Sequence, residues 1–362
     1  MAGIAFREDA VDGSQLRDRR RILRAAAAMC GAWLAHARFA SAASEAKNGA
    51  LAIGLLRNPV SGLIAVTEQK GWFKAAGVEI SSILFAGAGG PKLIQAMGGG
   101  SVALGSVSAT AALLALAANA VPLRIVSIST DPAPAFALLS APEIKSVADL
   151  RGKRIATTAG TGLQYFLVRA LRKFGMGLPD IEFVNLPVGD AQSAFLAKRV
   201  DAVIPSLNGR YYIEGLRKDT RVLFTHDDFT KPPGPTTPFE DYDVFVAPRS
   251  VVDANAPGLR AFLAAYHGKS VPYLLDPATQ SEAIAEITRY VNAEQKSPID
   301  EKAMRQQLLT SRFFDLAKVR EIVASPGFRA GLGDQVRFLL ETKQIAAPIP
   351  LDAVVVTDLL TG

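Results

Sequence analysis

Apolar runs typical of buried strands alternate with helix-periodic segments along the first third of the chain. The predicted strands have the sequences LAIGLL (51–56), VEISSILFA (78–86), SVALGSV (101–107) and LRIVSIS (123–129). The predicted helices between them span residues 61–70, 91–97 and 109–119. Alternation at this spacing predicts a parallel sheet with helices on both faces.

A second set of strands follows a proline-rich breaker at residues 131–134. Its predicted members are FALLSA (136–141), RIATTA (154–159), IEFVNLP (181–187) and DAVIPS (201–206). A second breaker, residues 231–238, precedes the run YDVFVAP (242–248), which we interpret as a return strand, and the chain from about residue 257 is predicted to be mostly helical. Two crossings between two sets of strands predict two lobes with a ligand cleft at the carboxyl ends of their strands.

Glycine- or serine-rich loops follow five of the predicted strands and mostly open a helix. They span residues 57–62, 87–90, 106–110, 158–162 and 206–209. In the fourth loop, unpaired N–H groups at a helix start, the Thr161 hydroxyl and the small residues Gly160 and Gly162 favour an anionic or electron-rich ligand group. The alternative is structural: a threonine N-cap beside a tight glycine turn.

The segment 1–46 has a different composition from the rest of the 362-residue chain. Arginines precede an apolar stretch at residues 25–35, and Ala40, Ser41 and Ala42 fit a small-residue cleavage site, so we predict a signal peptide cleaved near Ala42. The pair Arg19 and Arg20 resembles a twin-arginine export signal. Asp18 and Ile22 depart from that pattern, so the general secretory route stays open.

Composition narrows the chemistry that the mature protein can perform. Cys30 is the only cysteine and lies in the predicted signal peptide, which excludes a cysteine nucleophile, a disulfide framework and a cysteine metal site. The full chain has a net charge of +6, and the part after residue 46 has +4 without clustered Lys or Arg, which argues against a nucleic-acid partner. His226 and His267 lack the spacing of a helical metal site, and we expect neither metal nor cofactor.

Four segments resemble one family. EQKGWFKAAGVEI, SVALGSVSAT, IKSVADLRGKRIATTAGTGLQYFLVRAL and VNLPVGDAQSAFLAKRVDAVI are similar to the periplasmic solute-binding proteins of ABC importers for nitrate, sulfonates, taurine and thiamine-precursor pyrimidines (the NMT1/THI5-like group). The resemblance runs from about residue 50 to the C-terminus. It implies capture of a small anionic organic solute without chemical reaction, delivery to an inner-membrane permease, a periplasmic location and a monomer.

The resemblance also implies an α/β, type II periplasmic-binding-protein fold, in which each of two lobes is a mostly parallel sheet flanked by helices and two hinge crossings join them. Lobe 1 would comprise residues 47–135 and the helical residues 249–362, and lobe 2 would comprise residues 136–248.

The ligand-binding residues that we expect are those on the cleft loops and at the second crossing. They are Arg57, Asn58, Ser61, Gly89, Ser106, Ser108, Thr110, Thr161, Gly162, Asn208 and Tyr242. Arg57 could pair with a carboxylate or sulfonate in bidentate fashion. Where the family often has Trp-Asp-Pro-Tyr after the strand DAVI, this chain has Pro-Ser-Leu-Asn at 205–208, which leaves the ligand class open. Asp241 and Asp243 flank Tyr242, and a carboxylate there could meet an amine or form hinge hydrogen bonds.

Two other function classes fit the sequence less well. Enzymes with this fold include a desulfinase that uses a cysteine and a pyrimidine synthase rich in Cys and His, and the composition disfavours both. The sensing half of a transcription regulator would need an N-terminal helix-turn-helix, where this sequence has an export signal.

Overall fold

The computed structural model describes residues 50–85, 89–293 and 298–360, apart from the side chains of residues 207 and 208. The predicted signal peptide, residues 1–46, lies outside the described residues. In the described part of the chain the strands are β1 (Leu51–Leu55), β2 (Ile80–Leu84), β3 (Leu104–Ser108), β4 (Leu123–Thr130), β5 (Ala137–Ser140), β6 (Arg154–Thr157), β7 (Glu182–Asn185), β8 (Ala202–Val203), β9 (Arg221–Thr225) and β10 (Asp243–Pro248).

The helices occupy the connections between strands and most of the last third of the described chain. They are α1 (Pro59–Gln69), α2 (Trp72–Ala75), α3 (Gly89–Gly98), α4 (Ala109–Ala117), α5 (Gly162–Lys173), α6 (Val188–Leu196), α7 (Leu207–Leu216), α8 (Arg249–Ala254), α9 (Ala256–Ala265), α10 (Val271–Leu275), α11 (Gln280–Asn292), α12 (Glu301–Thr310), α13 (Leu316–Ala324) and α14 (Pro326–Glu341). None of the described helices is long and apolar enough to cross a bilayer.

The strands form two sheets, one in each lobe of the fold. The first has the order β2-β1-β3-β10-β4, and the second has the order β7-β6-β8-β5-β9. In each sheet one strand runs antiparallel to both neighbours: β10 in the first and β5 in the second. Both are the first strands after a crossing. A chain that comes from the other lobe enters at the edge where the parallel strands end, so it must run against them.

The helix α5 is buried on most of its surface. Tyr165 and Phe166 pack among Phe229 and Phe239, with ring centroids 5.1–5.4 Å apart. Lys173 is also buried, and its ammonium group donates to the Pro235 carbonyl at 2.7 Å. The proline-rich loop of the second crossing therefore covers one face of α5.

The first crossing is held by Asp131, which is fully buried. Its backbone N–H donates to the Arg312 carbonyl at 2.8 Å, the Arg312 N–H donates back at 2.9 Å, and the two side chains form an ion pair. The Ala133 N–H donates to Asp131 Oδ1 at 2.9 Å. Burial raises the pKa of Asp131 even though Arg312 acts in the opposite direction. Asp131 thus joins the end of β4 to the segment that follows α12.

We expect Arg312→Ala to lower the free energy of unfolding by about 2 kcal/mol, because it leaves the buried Asp131 carboxylate without its cation. The cost is below that of a fully buried pair, since the Arg312 side chain is 47% exposed. The loss should be largest at pH values where the Asp131 carboxyl is ionised and should shrink as the pH falls through its raised pKa, because protonated Asp131 has no ion pair to lose. Urea unfolding at several pH values measures it. Arg249→Ala, which breaks an exposed pair with Asp253, is the control, and an equal loss in both variants would contradict the prediction.

Candidate ligand-binding cleft

A cavity of about 280 Å³ is lined by loops from both sheets and by the C-terminal helical region. The first sheet and the loops at its carboxyl edge supply Arg57, Asn58, Ser108, Thr130 and Asp243; the second supplies Thr161, Gly162 and Ser206; the C-terminal region supplies Gln307, Ser311 and Phe313. This agrees with the position that an open α/β sheet favours for a ligand, at the carboxyl ends of its strands.

Four helices, α1, α4, α5 and α7, begin at the wall of this cavity. Three of them are capped by a cavity-lining side chain. Asn58 Oδ1 accepts from the Ser61 N–H at 2.9 Å, Ser108 Oγ from the Ala111 N–H at 3.3 Å, and Ser206 Oγ from the Gly209 N–H at 3.2 Å. The positive ends of the helix dipoles converge on the cavity and favour negative charge there.

At the start of α5, the loop residues Gly160 and Thr161 are engaged within the loop itself. Gly160 has φ +70°, and its N–H donates to Gln164 Oε1 at 2.8 Å. Thr161 stands at the N-cap position but makes no cap hydrogen bond, because its hydroxyl donates to the Thr158 carbonyl at 2.7 Å. In this geometry Thr161 can offer a ligand a lone pair rather than a proton.

Gly162 makes room for a carboxyl group of the protein. A Cβ atom on Gly162 would lie 1.6 Å from Asp241 Oδ2, so the Asp241 side chain fills the space beside the first residue of α5. Asp241 is 1% exposed, and its Oδ1 accepts from Gln335 Nε2 at 3.3 Å. The place where the sequence predicts a ligand's acid group next to Gly162 is therefore occupied by Asp241.

Asp243 is the second carboxylate of the cavity. It lies on β10, paired with Ser108 on one side and Thr130 on the other, and is partly exposed. No hydrogen bond joins its carboxylate to any of the described residues. Burial, assisted by the Asp131 carboxylate, raises the pKa of Asp243 from its ordinary 3.8 to about 7. Burial also raises the pKa of Asp241 well above its usual range, and the charges of Asp243 and Asp131 add to the effect.

Five of the residues predicted to bind ligand line the cavity: Arg57, Asn58, Ser108, Thr161 and Gly162. Gly89 begins α3 and is not among the lining residues. The side chain of Asn208 lies outside the described part of the structure.

The other four predicted residues are engaged inside the protein and do not line the cavity. Ser61 Oγ accepts from the Leu56 N–H at 2.9 Å, and Ser106 Oγ lies 2.7 Å from Ser129 Oγ. Thr110 donates to Gln335 Oε1 at 3.0 Å and so holds the amide that contacts Asp241. Tyr242 packs against Phe314 and Phe328, because alternate residues of an extended segment face opposite sides.

Sequence reasoning missed the contribution of α12 to the cavity. Gln307 is 1% exposed, lines the cavity, and its Oε1 is buried without a hydrogen-bond partner among the described residues. The available signal was a glutamine beside Leu308 and three residues after Met304, on the buried face of a helix. A side-chain amide on such a face needs a hydrogen-bond partner, so it is a candidate ligand-binding group.

A second cavity of about 640 Å³ adjoins the first. Arg57 and Ser206 line both cavities, so they stand where the two meet, whereas Asp241, Asp243 and Gln307 line only the smaller one. Arg57 is oriented by α11: its Nη1 donates to the Tyr290 carbonyl at 2.8 Å, and its guanidinium lies 5.0 Å from the centre of the Tyr290 ring.

The described residues contain no cluster of three or more His, Cys, Asp or Glu side chains that could hold a metal ion. His267 is fully buried, with Nδ1 2.9 Å from the Phe314 carbonyl and Nε2 2.9 Å from Ser127 Oγ. Burial lowers its pKa to about 4, so it is neutral at physiological pH and packs as part of the core.

A family model described as NMT1/THI5 like matches residues 58–278, more than half of the chain. The taurine-binding periplasmic protein of Escherichia coli is 25% identical over 206 residues, which cover 55% of this chain and 61% of that protein. The periplasmic aliphatic sulphonate binding protein SsuA of E. coli has the same fold, with a TM-score of 0.68, 22% identity and coverage of 86% and 92% of the two chains. The desulfurization enzyme DSZB shares the fold at a TM-score of 0.58 and 15% identity, with 86% and 98% covered.

Gly162→Ala should lower Tm by several degrees, because its methyl group and the Asp241 carboxyl cannot occupy the same space. Asp241→Ala introduced into that variant should restore most of the loss, since it removes the clashing atoms. Gly333→Ala, in α14 with nothing within 4 Å of the added Cβ, is the matched control and should be neutral or stabilising. Thermal unfolding of the wild type, the two single variants at residues 162 and 241, their double variant and the control measures the coupling, and purely additive effects at residues 162 and 241 would contradict it.

Asp243→Asn should raise Tm by a few degrees at pH 8, and the gain should vanish near pH 4. The sign follows from the raised pKa of Asp243. Between about pH 4 and 7 the carboxyl ionises in the unfolded state but stays protonated in the folded state, so it destabilises the fold increasingly as the pH rises. Above pH 7 this destabilisation is constant. Asparagine does not ionise, so it does not carry this pH-dependent cost. Tm is compared between variant and wild type at each pH, with the exposed Asp253→Asn as control. A lower Tm than wild type at pH 8 would show that Asp243 stabilises the fold.

Proposed function

The chain belongs to the NMT1/THI5-like family, and from that premise we propose that it is the extracytoplasmic solute-binding component of an ABC-type importer. The taurine- and sulphonate-binding relatives support a small organic acid, such as a sulfonate, as its solute. We propose binding rather than catalysis, because the sequence after residue 30 contains no cysteine and the buried His267 does not line the cavity.

The observation that carries this proposal is a small cavity at which four helices begin, with Arg57 at its junction with a larger one. Helix N-termini and a guanidinium are the groups that bind sulfonate or carboxylate oxygens. A volume of about 280 Å³ fits a solute of few heavy atoms. Arg57 already bonds the Tyr290 carbonyl, so its guanidinium is positioned before a ligand binds.

The lobes follow from the two crossings. We propose that residues 47–135 and 249–362 form lobe 1 and residues 136–248 form lobe 2, and that the lobes rotate together on the solute about the segments near residues 131–137 and 241–247. The closed protein, a monomer, would then dock on an inner-membrane permease. Residues 1–46 would direct export to the periplasm, by the twin-arginine or the general secretory route.

Calorimetry and small-angle scattering with a defined panel, namely taurine, ethanesulfonate and nitrate, test this function. We expect at least one compound to bind, to reduce the radius of gyration, and to lose tenfold or more in affinity in Arg57→Ala, since a charge-assisted hydrogen bond contributes roughly 1.5–3 kcal/mol. Arg249→Ala, on the exposed face of α8, is the control. Absence of binding by the whole panel, together with absence of any small molecule retained by natively purified protein, would contradict a solute-binding role.

A further inference from the structure

The charges of the inner cavity are not those of a site made only for anions. Among the described residues, the charged side chains that line it are Arg57, Asp241 and Asp243. Arg57 lies at the junction with the outer cavity, whereas both carboxyl groups face only the inner one. An anion that filled the whole inner cavity would therefore lie against two carboxyl groups, and it would be repelled by either of them in its ionised form.

Three side chains at this inner end carry hydrogen-bond acceptors with few or no partners. The Asp243 carboxylate makes no hydrogen bond with the described residues, and Asp241 has a single contact, at 3.3 Å, through Oδ1. Independently of these acids, Gln307 lines the same cavity, and its buried Oε1 has no hydrogen-bond partner in the described chain. Buried acceptors without donors cost free energy, and a ligand that brings donors recovers it.

The raised pKa values of Asp241 and Asp243 are consistent with this arrangement. Each carboxyl is desolvated, and no described residue forms an ion pair with either of them as Arg312 does with Asp131. A positive group placed between them would favour the ionised form of both.

We infer that Asp241, Asp243 and Gln307 form a subsite for a protonated amine at the inner end of the cavity, so that the solute is a zwitterion whose acid group faces Arg57. The inference rests on the proposed solute-binding function and specifies its ligand class. A primary ammonium group has three N–H donors, which matches one acceptor from each of the three side chains. Nitrate and simple alkanesulfonates carry acceptors only, and they leave this end of the site unpaired.

Matched pairs of compounds that differ only in the amine test the subsite. In calorimetry at pH 7 and constant ionic strength, taurine should bind at least tenfold more tightly than isethionate, which has a hydroxyl in place of the amine. β-Alanine and 3-hydroxypropionate form a second pair with a carboxylate. Equal affinity within a pair that binds, or preference for the hydroxyl compound, would overturn the amine subsite and leave the solute-binding role standing.

Variants of the acceptors give a second readout. Asp243→Asn and Gln307→Leu should each weaken binding of the amine member of a pair tenfold or more, while Asp243→Asn should leave the hydroxyl member unchanged or bound more tightly. The control is Asp253→Asn, whose carboxylate is exposed on α8. Near-UV circular dichroism of each variant confirms that the fold is retained. Equal losses for both members of a pair would indicate a structural role for Asp243 and contradict the inference.

Where neither pair gives a measurable Kd, the small molecule retained by natively purified protein decides the question. The molecule is released by denaturation and identified by mass spectrometry, before and after reaction with dansyl chloride, which labels amines. A basic nitrogen supports the subsite, and a molecule without one overturns it. If nothing binds and nothing is retained, the solute-binding function itself fails and the inference fails with it.

Discussion

The desolvated carboxylate of Asp131 is the constraint on which the arrangement of the cleft depends. A chain that leaves one sheet for another carries backbone groups out of the ladder, and these must find partners where no strand supplies them. Asp131 does this with two backbone bonds to Arg312, a bond from the Ala133 N–H and an ion pair. The end of β4, the first crossing and the segment after α12 are thereby fixed together. Because Gln307 lies on α12, the same contact also positions a wall of the cavity.

The second crossing also places carboxyl groups in this region. There the cost of burial competes with the favourable field of a helix N-terminus. Asp241 lies beside the start of α5, where the helix dipole favours negative charge, and Gly162 provides the space. Thr110 supports it indirectly through Gln335. The dipole contributes roughly 0.3–1 kcal/mol, less than the several kcal/mol that burial of a carboxylate costs. Burial therefore wins, and the pKa of Asp241 rises despite the helix.

Most of the fold follows from the alternation of apolar and helical segments, because buried parallel strands need continuous apolar runs and breakers mark the crossings. The strand β9 was missed: its apolar run is only three residues long, Val222 to Phe224, which is short for a buried strand. The loops of the site were predicted, but the direction of each side chain was not. Ser61 satisfies a strand-end N–H, and the carboxyl beside Gly162 comes from a residue 79 positions away in sequence. Such long-range packing leaves no local pattern.

The acid groups of the cleft illustrate why a binding site and a stable fold place different demands on a sequence. The Asp131 carboxylate has a cation, a hydrogen bond from the Ala133 N–H and a structural role, whereas the Asp243 carboxylate has no hydrogen bond in the described chain and its raised pKa marks a cost to stability. Desolvated carboxyl groups with raised pKa values are characteristic of functional sites. A cation that reaches Asp241, Asp243 and Gln307 at once can contact them only when both crossings and α12 are in place. The free energy gained from pairing these desolvated acceptors would therefore contribute to ligand selectivity and to closure of the lobes.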